Sequence, residues 1–410
     1  MLQQRGQGRR GCDGSGLLLV TGDLDRVLAG VDGARMAATV ATLAGAPFEG
    51  RRAGGTAARD WLADRLNHLG ATVTDDRFPV RSVPEVYADP AAIWNGRPLV
   101  FGREAAVHPA SADLPSPRAG ELTVAGQGDP RGRWLAVPPG MGLFDAYGHA
   151  HDAAGLLVGR AVDAYGWHYT MLAGPDPGPL PVLMLDPTTH SAVLDGSGWF
   201  SAAAPVRRTD VTAANLHATW HPSAPVLLTA HYDGVGDLPG LRQPAAADNG
   251  SGVAVVLEAA RLLAGHVPVE VALLDAEELG ALGSAHHAAR LQQAGRTPLV
   301  INIDGAGHLD AAAAVEAGGP AHGLLAALDQ AGRHTGLPLV AGPVASDNRR
   351  YAAAGLAAVG IGAGMRGYHS PADTADRVET ATLAAVCRLV VATVWLAADY
   401  PAKLSSLIGD

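Results

Sequence analysis

Seven ionisable residues stand at or just beyond short apolar runs between Pro225 and Thr374. His231 and Asp233 end P-V-L-L-T-A-H-Y-D, and Asp248 lies in A-A-A-D-N-G-S-G. Glu277 and Glu278 end V-E-V-A-L-L-D-A-E-E, Asp304 closes P-L-V-I-N-I-D, and His369 lies in Y-H-S-P-A-D-T. Imidazole and carboxylate donors of this kind suit zinc, with manganese or cobalt as alternatives. His231, Asp248, Glu278, Asp304 and His369 are too many ligands for one tetrahedral ion with an open position. They fit two ions if one carboxylate bridges, and two-metal hydrolases space their ions about 3.5–4 Å apart. Asp248 is the expected bridge, because Gly250-Ser-Gly252 lets the chain pass closely before a helix over 253–263. Adjacent residues at a strand end point different ways, so Glu278 is assigned to metal and Glu277 to general base. A carboxylate beside a metal-acidified water can take and return its proton. Asp233 is expected to accept the second ring N–H of His231.

Each residue alone has an ordinary structural reading. Asp248 could cap a helix, Glu277 and Glu278 could be a solvated pair, and Asp233 could precede a turn at Gly234. Ser346 and Asp347 could cap the helix they precede, and Asp373 could either orient His369 or start a helix. His149, His151, His286 and His287 read as structural, while His308, close to Asp304, is a candidate substrate contact. The ordered set of five donors favours a metal centre. No Gly-x-Ser-x-Gly elbow supports a serine hydrolase.

The elements that must carry these residues alternate between short apolar runs and helical patterns, which predicts βαβ units and a parallel sheet. Ligands in such sheets sit beyond the carboxyl ends of the strands, where these side chains fall. The fold class expected is α/β: a mostly parallel central sheet flanked by helices on both faces, with an inserted β-rich domain. The division expected is a tail over 1–29, a core domain over 30–88 and 209–410, and an insert over 89–208, where Pro, Gly and Ala are dense. Helices are expected over 31–43, from Thr56 (as N-cap) to a C-terminal Gly70, over 144–157, over 323–335 and over 380–398. The region after Asp304 reads as an alanine-rich loop.

The 410 residues carry a net charge of −10, with 48% hydrophobic and 17% charged side chains. That is a globular balance, and without a basic run it predicts no nucleic-acid partner. Two cysteines, Cys12 and Cys387, exclude a cysteine-rich zinc site and a disulfide framework. The apolar run Leu17–Val20 is too short for a signal-peptide core, so no signal is read. The run 383–398 is interrupted by Arg388 and reads as a buried terminal helix, not a membrane span.

H-Y-D-G, A-D-N-G-S-G, D-A-E-E-L-G-A-L-G-S, N-I-D and Y-H-S-P-A-D-T occur in this order. Together they resemble the motifs of the co-catalytic di-zinc aminopeptidases, the peptidase family that includes aminopeptidase Y, glutamate carboxypeptidase and the transferrin-receptor ectodomain. G-R-R-A-G-G-T resembles the start of that catalytic domain, and the 89–208 insert resembles a protease-associated domain. The resemblance implies a peptide substrate and two zinc ions. It places His231 and Asp304 on one ion and Glu278 and His369 on the other, with Asp248 shared. Asp233 and Glu277 take the acidic catalytic positions, and Tyr368 sits near the tetrahedral intermediate. Ser346 and Asp347 fall at the specificity pocket, while Arg366 is a candidate reader of a substrate carboxylate. Ala247 stands where many members have Asp, and Asn348 where His is common. The resemblance implies an aminopeptidase. The rival readings are a di-zinc carboxypeptidase or deacylase, and a receptor-like module that has lost its metals. Oligomeric state and compartment are not fixed by the sequence.

Overall fold

The computed structural model describes residues 23–398, Pro222 excepted. Helices α1 (Asp23–Ala29), α2 (Gly33–Ala44) and α3 (Thr56–His68) precede the long strand β1 (Thr72–Val86). Then come β2 (Ala91–Trp94), β3 (Arg97–Pro98), β4 (Ala105–Val107), β5 (Leu114–Val124) and β6 (Trp134–Val137). α4 (Leu143–Gly148), β7 (Gly155–Gly159), β8 (Val182–Leu185), α5 (Pro187–Val193) and β9 (Trp199–Ala204) follow. The chain then runs through β10 (Val206–Thr219), β11 (Val226–His231), α6 (Gly252–Leu263), β12 (Val269–Leu274) and α7 (Leu282–Gln293). It ends with β13 (Leu299–Ile303), β14 (Ala313–Gly318), α8 (His322–Thr335), β15 (Leu339–Ala341), α9 (Asn348–Ala353), β16 (Ala358–Gly362) and α10 (Thr380–Ala398).

One eight-stranded sheet has the order β1-β10-β12-β11-β13-β16-β14-β15. Its centre, β12-β11-β13-β16, is parallel, while β1, β10 and β14 add antiparallel pairings outside it. Every residue of β11 and β12 is buried, as expected of strands covered on both faces. The two-residue period of a strand sorts them. Val226, Leu228 and Ala230 pack with α2, α3, α6, α8 and α10, whereas Leu227 turns to α7 and α9. The second sheet, β3-β2-β9-β5-β6-β7-β8-β4, is formed by residues 91–204 and has its own apolar clusters around Trp134 and Leu156.

Several sequence expectations need correction. The segment before Ala29 is not all tail: Asp23–Ala29 is helical and buries Leu24, Val27 and Leu28 against the main core. Gly55, not Thr56, is the N-cap of α3; Gly70 does take the left-handed conformation (φ 82°) that ends it. The helix expected over 144–157 stops at Gly148, and Gly155–Gly159 is a strand. The alanine-rich stretch after Asp304 supplies β14, whose small side chains pair beside β16. Cys387 is a buried thiol in α10, while Cys12 and the segment read for a signal lie outside the described residues. Helix α10 is long and apolar enough to cross a membrane by length and composition. Here Leu383, Val386, Leu389, Val390 and Val394 are fully buried in the main core.

Candidate metal centre

Four adjacent strand ends and one helix start converge. His231 ends β11, Asp304 follows β13, Glu277 and Glu278 follow β12, and Asp248 lies in the turn Ala246–Ser251 that opens α6. His369 comes from the loop after β16. His231 Nε2 lies 3.3 Å from Asp248 Oδ1 and 3.5 Å from Asp304 Oδ1. His369 Nε2 lies 3.0 Å from Asp248 Oδ2 and 2.8 Å from Glu278 Oε2. Two triads result, His231-Asp248-Asp304 and Asp248-Glu278-His369, each with ligand atoms within 4.8 Å of one another. Asp248 belongs to both and offers a different oxygen to each.

The donor set fits cations. Asp248, Glu278 and Asp304 are all more than nine-tenths buried. Three carboxylates so placed repel one another unless positive charge is supplied. His231 Nε2, Glu278 Oε1 and Asp304 Oδ1 are buried without a hydrogen-bond partner. Buried polar atoms are rarely left so, and two of these, His231 Nε2 and Asp304 Oδ1, face each other within one triad.

The surroundings hold the donors by their backbones. Asp233 was expected to accept from the His231 ring. Nδ1 in fact lies nearer the Asp233 main-chain oxygen (3.2 Å) than its carboxylate Oδ1 (3.6 Å). The Asp233 carboxylate instead accepts from the Glu277 and Glu278 amides at 3.0 and 3.2 Å. Asp373 does not orient His369. Its carboxylate accepts from the Ala247 and Asp248 amides at 2.7 and 3.0 Å, fixing the shared ligand's turn. Asn249 receives the Gly252 and Gly305 amides and donates to Ile303 O, so the α6 turn is tied to the Asp304 loop. A Cβ at Gly252 would sit 2.2 Å from Asn249 Oδ1 and 2.6 Å from Ile303 O, which explains that glycine.

Arg51, read only as part of a turn, is 2% exposed and donates to the carbonyls of Leu43, Tyr232, Pro244 and Ala245. Its partners are backbone atoms, so no spacing rule in the sequence reveals them. Left-handed φ values at Ala245 (51°), Ala276 (60°) and His369 (52°) bring the chain sharply into the site. For residues with a Cβ such conformations cost of order 1–3 kcal/mol and gather at functional sites.

Burial pushes the Glu277 carboxyl well above its usual range. His231 opposes this, and Asp347, Asp304 and Glu278 reinforce it. The Tyr368 phenol is raised by burial and the neighbouring carboxylates, and its ring stacks on His369 at 3.7 Å. Ser346 and Asp347 are buried, and Ser346 Oγ accepts from Asn302 Nδ2 at 3.3 Å. Arg366 is not drawn into the triads: it donates to His308 Nε2 at 2.5 Å and lies 3.7 Å from Glu379. His308 is engaged by Glu379 and Asp310. His286 stacks on Phe78 and His287 bonds Tyr351, both structural contacts. His149 and His151 are exposed on the second sheet's side of the molecule.

The fold is α/β, with a candidate metal centre at the carboxyl ends of its parallel strands. Residues 215–394 match the model of Peptidase family M28. A 90-residue stretch is 42% identical to aminopeptidase YwaD of Bacillus subtilis, covering 20% of this chain and 18% of that relative. The chain thus matches about a fifth of that protein's length. Two solved structures share the fold across most of the chain. The aminopeptidase from Aneurinibacillus sp. strain AM-1 has a TM-score of 0.68 at 22% identity, covering 92% of this chain and 96% of that one. BSAP, a zinc aminopeptidase from Bacillus subtilis, has a TM-score of 0.69 at 21% identity, covering 89% and 95%.

Proposed function

We propose that this chain is a zinc-dependent metallopeptidase of the aminopeptidase type, with two ions sharing Asp248. The observation that carries this reading is the division of the Asp248 carboxylate, one oxygen facing His231 and the other His369. His231 and Asp304 would hold one ion, and Glu278 and His369 the other. When bound, the metal centre supplies an acidified water and polarises the scissile carbonyl. Glu277 takes the proton of the attacking oxygen and returns it to the leaving amine. Asp233 holds the Glu277 and Glu278 amides, so base and ligand keep separate directions. The Tyr368 hydroxyl donates to the oxygen that gains charge.

Ser346 and Asp347, being buried, support the wall behind the site in this reading. Arg366 is occupied by His308 and Glu379 at the rim, which weakens the carboxypeptidase alternative. A receptor-like module predicts lost ligands, and all five donors are here. We assign the second sheet, over 91–204, to a protease-associated-type insert.

The test is metal analysis of purified protein together with hydrolysis of aminoacyl-p-nitroanilides and of their N-blocked counterparts. The expected result is close to two zinc ions per chain, turnover of the free-amine substrates only, and loss of turnover on chelation. Less than one ion per chain and no turnover after zinc loading would overturn the reading.

A further inference from the structure

We propose that the segment Asp163–Ala173, carried by the second sheet between β7 and β8, positions one of the two ions and not the other. It sets the affinity of the Glu278–His369 site and leaves the His231–Asp304 site to the catalytic sheet. The proposal rests on the two-ion reading and gives the second sheet a part in it.

The contacts between this segment and the candidate ligands are one-sided. The Thr170 amide donates to His369 O at 2.8 Å, and the Ala173 amide donates to Glu278 O at 3.1 Å. Ser370, next to His369, donates from Oγ to Asp163 Oδ2 at 2.7 Å. Met171 Sδ lies 3.3 Å from His369 Nδ1, the ring atom away from the triad. An outer partner belongs there. His369 Nε2 faces Asp248 and Glu278, so a ligating ring carries its proton on Nδ1. Such protons usually meet a carboxylate, a carbonyl or water; here a thioether from the second sheet accepts. The other triad is held by the catalytic sheet itself. His231 Nδ1 meets Asp233 O at 3.2 Å, and the Asp304 amide donates to Ile361 O at 3.0 Å. Among the described residues, no hydrogen bond or ion pair joins 91–204 to His231, Asp233 or Asp304.

Asp163 is the hub of the segment and is buried. Its Oδ1 accepts from the Tyr165 and Trp167 amides, both at 2.8 Å, while Oδ2 takes the Ser370 hydroxyl. One carboxylate thus shapes the turn and ties it to the residue after His369. The turn is rooted in the second sheet's side of the molecule. The His168 amide donates to Gly102 O at 2.8 Å, and the Arg103 guanidinium stacks on Trp167 at 3.8 Å. From the catalytic side, Arg377 lies 3.8 Å over the Tyr165 ring. His369 needs such support, because its φ of 52° is a conformation that a residue with a Cβ keeps only when its surroundings fix it. A shift of the second sheet therefore pulls on His369 and Glu278, while His231 and Asp304 stay with β11 and β13.

The experiment uses the full chain freed of metal and titrated with zinc against a chromophoric chelator. Two backgrounds separate the sites: Asp304→Ala keeps Glu278 and His369, and Glu278→Ala keeps His231 and Asp304. Asp163→Ala is expected to weaken zinc about 10–100-fold in the first background, as the loss of an outer partner does, and to change nothing in the second. Asp163→Asn keeps an oxygen for the two amides and turns an N–H toward Ser370 Oγ, whose proton then goes to Gly367 O, 2.8 Å away. It is expected to retain the wild-type affinity. Met171→Leu, at a side chain 41% exposed, makes the same test should Asp163→Ala not fold. Phe144→Ser, on a side chain 77% exposed elsewhere on the second sheet's side, is the control that moves neither site. Equal weakening of both sites, or of neither, overturns the proposal. If the wild type takes up fewer than two zinc ions, the two-ion reading falls, and amide hydrogen exchange of the zinc-free proteins still decides. Faster exchange over 366–374 in Asp163→Ala, with wild-type exchange in Asp163→Asn, upholds the positioning of His369; equal exchange in all three overturns it.

Discussion

Glu277 and Glu278 are neighbours to which the proposed mechanism gives separate tasks, and Asp233 holds the two amides apart. Its two carboxylate oxygens hold the two amides, while Ala276 in the left-handed region turns the chain just before them. Glu278 then faces His369, and in the proposed mechanism Glu277 serves the nucleophile. Glu277→Gln keeps the shape and removes the base. Turnover of a p-nitroanilide is expected to fall about 10²–10⁴-fold with zinc content unchanged; equal turnover in the two proteins would remove Glu277 from the mechanism. Asp373 acts at one remove, through the Ala247 and Asp248 amides. Asp373→Ala should weaken metal affinity about 10–100-fold, as outer-shell losses typically do. A competition titration with a chelator reads this, and retained affinity would show that the turn holds itself.

At the scale of elements, the sheet's outer half is pinned by one buried acid. Glu270 begins β12 and accepts from Arg296 at 2.9 Å on both oxygens and from the Ala224 amide at 3.1 Å, with His217 of β10 at 3.1 Å. Burial pushes this carboxyl up, but His217 and Arg296 overcome it and hold it at about 2. The sign follows from the depressed value. The unfolded carboxyl titrates near 4.3, so the contribution is complete above that pH and is lost as pH falls toward 2. Glu270→Gln should therefore lower the thermal midpoint at pH 6, and the gap between variant and wild type should narrow between pH 4 and pH 3. A gap independent of pH would mean that packing, not ionisation, is what Glu270 supplies.

Over the whole molecule, the centre is a junction. Its donors come from the ends of β11, β12, β13 and β16 and from the start of α6, and the second sheet reaches it through Thr170 and Ala173. An ion that binds only the folded arrangement stabilises all of these together, by an amount set by its concentration relative to Kd. Chelation is expected to lower the thermal midpoint by several degrees, and zinc to restore it. A midpoint indifferent to chelator would place the ions outside the folding equilibrium.

Much of the site was legible because its donors sit at fixed places in a repeating unit. His231, Glu278 and Asp304 each follow a buried run, and a parallel sheet must bring such ends to one edge. The D-N-G-S-G turn marks Asp248 in the same way, since only glycine tolerates the approach of Asn249 and Ile303 at position 252. Other features had no local signature. Periodicity read a helix over 144–157, yet parallel pairing with β6 and β8 claims Gly155–Gly159 for a strand. The alanines of 313–318 look like loop because β14 is made by its neighbours, not by propensity.

By itself, the order of ligand types along the chain determined the kind of chemistry and the family of fold, since both depend on residue identity at strand ends. Only the tertiary structure decided which groups serve those ligands. Asp233, Asp373 and Arg51 act on backbone amides and carbonyls that every sequence contains, and Met171 meets His369, which lies 198 positions further along the chain. Such partners are chosen by the packing of distant segments, which no local pattern encodes.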